Sequence, residues 1–256
     1  MNIFALRYRV AAVVLLSGLM SAPACAAEVR VAVASNFAAP MERLVPLFQK
    51  ESGHTVKVTP GASGKLFVLI TKGGAPFDVF LSADEEMPKR LMQDGLAVGG
   101  SRFVYATGRL VLWSAQSDFV DDKGLVLNKG NFNNLAIANP VYSPYGVAAK
   151  ETLTKLTMWN AMQRKLDKGD DVAQTYQSAA SERDDLAFIA LSQVMRDGKV
   201  FAGSWWLVPA EMHNPIRQSA VLLTGAKDPA AAKAFLAFLK SEKARAVMRG
   251  FGYEFP

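Results

Sequence analysis

Strand-like and helix-like segments alternate from residue 29 onward, and this order limits the possible folds more than any other feature of the sequence. Residues 29–34 carry valine at every second position, as a strand does, and residues 41–48 carry apolar side chains at helical spacing. The same succession returns over residues 55–70 and 77–94. An order of strand, helix, strand, helix predicts a mostly parallel sheet with helices on both faces.

The rest of the chain continues this alternation and indicates two lobes. The chain is expected to leave the first lobe near residues 106–109 and to return near Arg217. We therefore predict an α/β protein in which lobe I comprises residues 27–107 and 218–256, and lobe II comprises residues 108–217. Each lobe is expected to hold a mostly parallel sheet flanked by helices, with a ligand cleft between the lobes.

Proline and glycine set two of the predicted element boundaries. Pro60 and Gly61 predict that the second strand ends near Val58, because these residues break regular structure. The alanine-rich segment 228–250 begins with Asp-Pro and ends with glycine, which predicts a single helical stretch at the end of the chain.

The first 26 residues have the pattern of a secretory signal peptide. Arg7 and Arg9 precede an apolar stretch over 10–20, and the small residues 24–26 form a cleavage site. No later segment reaches the roughly 20 apolar residues that a membrane-spanning helix needs. We predict an exported, periplasmic protein that does not span the membrane, with a lipid anchor at Cys25 as the alternative. Cys25 is the only cysteine, so we expect no disulfide after cleavage.

Charge and histidine content argue against several classes of function. The 29 basic and 23 acidic residues are interspersed, without the basic cluster that nucleic-acid binding requires. The only histidines, His54 and His213, lie in polar segments far apart in the sequence, and we expect both to be solvated at the surface. We therefore predict no catalytic residue and no direct ligand of a metal cation. A secreted hydrolase with Ser35 or Ser63 as nucleophile is the alternative from another class, although glycine directly follows Ser63 and no Gly-x-Ser-x-Gly motif occurs.

Small polar residues occupy four predicted junctions between a strand and a helix. These junctions lie at Ser35-Asn36, at Ser63, at Tyr145 and before Val172. The first turn of a helix has free N–H groups and a partial positive charge, so it can bind an anion without a cationic side chain. The alternative is that each residue only caps its helix.

Five sequence segments carry a resemblance to a known family. These are Val31 to Phe37, Gly61 to Leu66, Gly74 to Asp84, Asn139 to Lys150 and Arg249 to Tyr253. With them, the chain resembles the periplasmic molybdate-binding proteins of ABC importers, which are two-lobed binding proteins of type II. The resemblance implies a receptor without catalytic activity or cofactor, whose ligand is molybdate or tungstate. It also implies an inner-membrane ABC permease as partner, and we expect a monomer.

The resemblance also implies a set of ligand-binding residues. Carried over position by position, the set consists of Ser35, Asn36, Ser63, Tyr145 and the backbone N–H of Val172. Several family members have a tyrosine where this chain has Ala190, so we expect Tyr145 or Asn36 to supply the missing donor. Asp171 is expected to face away from the cleft and to cap the helix that begins at Val172.

Neutral donors alone would discriminate between tetrahedral anions. Molybdate carries no proton near neutral pH, whereas the proton of monohydrogen phosphate would meet no acceptor in such a cleft, at a cost of roughly 1 to 3 kcal/mol. Sulfate is unprotonated as well, so its exclusion depends on cavity size. A receptor for another oxyanion such as sulfate is therefore the alternative within the binding class.

Overall fold

A computed structural model describes residues 26–255, so the predicted signal peptide lies outside the described residues except for Ala26. The strands are β1 (Glu28–Ala34), β2 (Thr55–Gly61), β3 (Val79–Ser82), β4 (Phe103–Gly108), β5 (Leu110–Ser114), β6 (Leu135–Ala138), β7 (Leu166–Gly169), β8 (Leu186–Ala190), β9 (Met195–Arg196), β10 (Lys199–Val200), β11 (Ser204–Leu207) and β12 (Ile216–Leu222).

The helices follow most of the strands. They are α1 (Ala38–Ser52), α2 (Ser63–Lys72), α3 (Glu86–Gln93), α4 (Val126–Lys129), α5 (Pro144–Lys155), α6 (Trp159–Met162), α7 (Val172–Ala180), α8 (Leu191–Val194), α9 (Pro229–Leu239) and α10 (Glu242–Gly250), with 3-10 turns at Ser35–Phe37 and Ala210–Met212. No helix within residues 26–255 has the length and apolarity needed to cross a membrane.

Two five-stranded sheets form the two lobes, and the two-lobed α/β fold is confirmed. The first sheet has the order β2-β1-β3-β12-β4, and the second has the order β11-β5-β8-β6-β7. Each sheet contains two parallel and two antiparallel pairs. The antiparallel pairs involve β12 in the first sheet and β5 in the second, and both strands lie next to a crossing between the sheets. At each crossing the chain passes directly from one sheet to the other. It does so without the crossover helix that a connection between parallel strands requires.

Two predicted boundaries were wrong. β2 does not end at Val58 but continues through Pro60 to Gly61, because β2 is an edge strand where a missing N–H costs no sheet hydrogen bond. The terminal helical stretch is broken after Leu239, and α10 begins only after Ser241, whose hydroxyl accepts a hydrogen bond from the Ala244 amide. Ser241 therefore caps α10, a role that we had expected only for residues at the strand-to-helix junctions.

The register of each sheet brings its strand-to-helix junctions side by side. Ala34 at the end of β1 pairs with Gly61 at the end of β2. In the second sheet, Ala138 at the end of β6 pairs with Gly169 at the end of β7. Helices that start after these parallel strands therefore begin along one edge of each sheet.

Candidate functional site

The first lobe contributes three of the predicted residues at adjacent junctions. Ser35 and Asn36 lie in the 3-10 turn after β1, and Ser63 is the first residue of α2 after β2. All three are buried, with Ser35 the most exposed at 7%. The Ser63 Oγ accepts a hydrogen bond from the Ala83 amide at 3.0 Å, which leaves the Ser63 hydroxyl proton available for another acceptor.

The second lobe contributes the other two residues. Tyr145 lies in the first turn of α5, directly after Pro144, which has no N–H to leave unpaired. The next residue is Gly146, where a Cβ atom would stand 2.1 Å from the Ala138 carbonyl oxygen. Only glycine therefore allows α5 to begin this close to the end of β6.

Val172 begins α7 with its amide free. The Asp171 carboxylate accepts hydrogen bonds from the amides of Ala173, at 2.8 Å, and Gln174, at 3.0 Å. The predicted capping role of Asp171 is therefore confirmed, and its negatively charged carboxylate binds the first turn of α7 itself. Within residues 26–255, no hydrogen bond occupies the Val172 N–H.

Direct contacts between the lobes bring these junctions together. The Gly64 amide donates to the Tyr142 carbonyl oxygen at 2.9 Å, which joins the start of α2 to the loop before α5. The Ser192 hydroxyl donates to the Asn36 carbonyl oxygen at 2.8 Å, and the 3-10 turn that contains Asn36 packs against α7. The five predicted residues thus lie at helix starts that face each other across the two lobes.

Two of the five predicted residues, Asn36 and Tyr145, have side chains in a buried hydrogen-bond network around Gln218. The Asn36 amide group donates to the Gln218 Oε1 at 2.9 Å and to the Tyr253 hydroxyl at 2.8 Å. Both of its hydrogens are therefore occupied. The Tyr145 hydroxyl accepts from the Gln218 Nε2 at 3.3 Å, and the Tyr105 hydroxyl donates to the Gln218 Oε1 at 2.8 Å.

Sequence reasoning missed Gln218 and Tyr105, because both lie in strands where their polarity gave no signal of function. Tyr253 stood in a resemblance segment but without a role. Burial raises the pKa of Tyr105 and of Tyr145 well above 10, and burial raises the pKa of Tyr253 to about 12. The three hydroxyls are therefore neutral near pH 7 and act only as hydrogen-bonding groups.

A cavity of about 350 Å³ opens between the lobes beside these junctions. It is lined by residues 83–87, 140–144, 147–148, 151 and 214–217. None of the five predicted residues lines it, although Ala83, which donates to Ser63, does. The predicted residues are buried where the lobes meet, and the cavity is a separate groove next to them.

The histidines were predicted less well. His213 is 6% exposed, so the expectation of a solvated surface position was wrong. Its Nδ1 lies 2.7 Å from the Asn214 carbonyl oxygen, and its buried Nε2 has no partner among the described residues. Burial lowers the pKa of His213. His54 accepts a hydrogen bond from the Ala27 amide at 3.2 Å.

Neither serine of the hydrolase alternative is bonded to a histidine within residues 26–255. The same part of the chain contains no cluster of three or more histidine, cysteine, aspartate or glutamate residues able to hold a metal ion. What the geometry offers is a set of neutral donors at helix starts, which suits hydrogen bonding to an anion.

Comparison with known proteins agrees with this arrangement. Residues 29–254 match the family model described as bacterial extracellular solute-binding protein. The molybdate-binding protein ModA of Azotobacter vinelandii is 48% identical over 237 residues, covering 93% of this chain and 94% of the relative. ModA of Rhodobacter capsulatus is 47% identical over 249 residues, covering 97% and 96%.

A solved structure agrees as well. The periplasmic molybdate-binding protein of Azotobacter vinelandii superposes with a TM-score of 0.87 at 38% identity, covering 89% of this chain and 99% of that structure. The relatives are binding proteins and not enzymes, so the prediction that this chain is not an enzyme is confirmed. The chain belongs to the bacterial extracellular solute-binding proteins and, within them, to the family of the molybdate-binding proteins ModA.

Proposed function

We propose that this protein is an extracytoplasmic receptor for molybdate and tungstate that holds the oxyanion between its lobes through neutral hydrogen-bond donors. The observation that carries the proposal is the meeting of helix starts from both sheets at buried hydroxyl groups and at backbone amides that have no hydrogen-bond partner among residues 26–255. Such a site stabilises a dianion by hydrogen bonds and helix dipoles. The molybdate-binding relatives support the choice of ligand.

The proposed donors are the hydroxyl groups of Ser35 and Ser63 and the backbone amides of Asn36, Tyr145 and Val172. The carboxamide of Asn36 is engaged by Gln218 and Tyr253, so a backbone contribution is the better assignment there. The Tyr145 hydroxyl group lies against Gly108 within the buried Gln218 network, so the backbone amide at the start of α5 is the better assignment for Tyr145. Backbone amides then make up for the tyrosine hydroxyl that Ala190 cannot supply.

The donor set explains the expected selectivity. Every proposed group can donate, and none is a free carboxylate that could accept the proton of monohydrogen phosphate. Tungstate has the same charge and nearly the same size as molybdate, so we expect it to bind alike. Exclusion of sulfate would rest on cavity size.

The proposed function also has a cellular location and a transport partner. We propose that residues 1–26 direct export to the periplasm, that lobes I and II have the boundaries given above, and that the closed monomer delivers its ligand to an inner-membrane ABC permease. The family match over residues 29–254 supports an extracytoplasmic location.

The test is a melting experiment on the purified protein with different oxyanions. Molybdate and tungstate at about 100 times their dissociation constants should each add roughly 2.7 kcal/mol to the stability and raise the melting temperature. Phosphate at the same concentration should leave the melting temperature unchanged. No shift with molybdate or tungstate would refute the proposal, and a larger shift with sulfate would favour the sulfate alternative.

Substitution of Ser63 by alanine tests the site itself. Because a hydrogen bond to a charged group contributes about 1.5 to 3 kcal/mol, Ser63→Ala should weaken molybdate binding roughly 10- to 150-fold in isothermal titration calorimetry. Ser117→Ala, at an exposed serine, is the matched control and should bind as the unaltered protein does. Equal affinities of the two variants would remove Ser63 from the site.

A further inference from the structure

An ion pair joins the two lobes next to the proposed donors. Lys65 lies two residues after Ser63 in α2, and Asp170 lies two residues before Val172. The Lys65 Nζ is 2.7 Å from the Asp170 Oδ2. Because α2 packs against β1 and α7 packs against β6 and β8, the pair connects one lobe to the other.

The backbone beside this pair is in equally close contact. The Gly64 amide donates to the Tyr142 carbonyl oxygen, and a Cβ atom at Gly64 would stand 2.9 Å from the Tyr142 Cα. The Lys65 Nζ also lies 5.6 Å from the centre of the Tyr142 ring. A glycine at 64 is therefore required for α2 to approach the Tyr142 loop this closely, and the contact places Lys65 opposite Asp170.

Neither charged group is suited to bind the anion directly. The Lys65 ammonium is neutralised by Asp170, and the two side chains are 42% and 60% exposed. An exposed pair contributes little and is screened by salt. Its geometry, however, exists only while the lobes are together, so its contribution falls on the closed state alone.

We propose that Lys65 and Asp170 are positioning residues that form a latch over the closed cleft and slow the release of the bound oxyanion. The proposal rests on the proposed function, because it needs an oxyanion to be held. The latch stabilises the closed state without touching the ligand, so it should act mainly on the dissociation rate.

The test measures release of radiolabelled molybdate from loaded protein during a chase with excess unlabelled molybdate. At low salt, Lys65→Gln and Asp170→Asn should each release the anion about 1.5- to 5-fold faster, the range for an exposed ion pair. The reversed pair, Lys65→Asp with Asp170→Lys, should restore slow release, which a merely structural role would not do. At about 1 M salt, where the Debye length is near 3 Å, the differences should shrink.

Two further variants complete the experiment. Lys243→Gln breaks an exposed ion pair with Glu51 within the first lobe and should release molybdate at the unaltered rate. Gly64→Ala should release it at least as fast as Lys65→Gln, because its Cβ atom would contact the Tyr142 backbone.

The outcomes separate the two proposals. If the unaltered protein binds molybdate but the single variants release it at the unaltered rate, or the reversed pair stays fast, the latch is refuted and the proposed function stands. If the unaltered protein binds none of the oxyanions in the melting experiment, the proposed function is refuted and the latch with it.

Discussion

At the scale of single residues, the proposed site depends on which polar hydrogens remain free. Asn36 and Ser63 are both buried and both polar, yet their side chains have different roles. The Asn36 carboxamide gives both hydrogens to Gln218 and Tyr253, whereas the Ser63 hydroxyl only accepts from Ala83. The sequence identifies such residues as donors, but the direction of a donor depends on neighbours that are distant in the chain, here 182 residues away for Gln218.

Tyr145→Phe tests whether the hydroxyl group binds the ligand. Because this hydroxyl group lies against Gly108 in the buried Gln218 network, we expect the variant to keep its molybdate affinity within about threefold. The free energy of unfolding should fall by about 1 to 3 kcal/mol, because the buried Gln218 donor is left unpaired. Calorimetric titration and urea unfolding give the two quantities. Tyr176→Phe, whose hydroxyl group makes no hydrogen bond within residues 26–255, is the control. A tenfold loss of affinity in Tyr145→Phe would show that the hydroxyl contacts the oxyanion.

His213 predicts a pH dependence of stability. Burial lowers the pKa of His213 in the folded protein below its ordinary value of about 6.5, so the unfolded chain binds the proton more readily. This group therefore stabilises the fold fully above about pH 6.5, and that contribution is lost as the pH falls toward the lowered pKa, by up to about 1.4 kcal/mol per pH unit. Urea unfolding between pH 7.5 and 5.5 should show a shallower loss for His213→Gln. Identical slopes in both proteins would contradict this.

At the scale of helices and strands, the sequence predicts elements best where one pattern decides the structure. β1 was recognisable because valine alternates along it, and α7 because Asp171 caps it. The extent of β2 was not recognisable, because Pro60 is compatible with a strand only at the edge of a sheet. Whether a strand lies at an edge is a property of the assembled sheet. β7 was not expected, since its sequence Leu-Asp-Lys-Gly has a single apolar side chain and none of its residues is fully buried.

Gly146→Ala tests how tightly a helix must dock for the site to form. The added Cβ atom would meet the Ala138 carbonyl oxygen at 2.1 Å, so α5 must shift at its first turn. Such overpacking should lower the free energy of unfolding by about 1 to 3 kcal/mol and weaken molybdate binding, because the Tyr145 amide moves with the helix. Gly225→Ala, where no atom lies within 4 Å of the new Cβ, is the control and should change stability by less than about 1 kcal/mol. Unchanged binding in Gly146→Ala would show that the Tyr145 amide is not a ligand.

At the scale of the whole molecule, the site is a consequence of topology. Each junction is a local pattern that the sequence shows. The meeting of the junctions, however, follows from the register of the two sheets and from the crossings at Gly108–Leu110 and Ile216. The crossing strands run antiparallel to their neighbours, which local periodicity does not reveal. The sequence therefore predicted the candidate residues through a family resemblance, and only the assembled lobes explain why those residues are close to one another.

Molybdate should change the shape of the whole protein. Donors from both lobes would be left unsatisfied in the closed state without a ligand, so removal of the anion should favour an open arrangement. A compact chain of the 230 described residues has a radius of gyration of about 17 Å. In small-angle X-ray scattering, the radius should lie above this value without ligand and fall toward it when molybdate is added, whereas phosphate at equal ionic strength should have no effect. An equal radius of gyration with and without bound molybdate would contradict the proposal that both lobes bind the ligand together. An anion that contacted one lobe alone would not stabilise the closed arrangement of the two lobes.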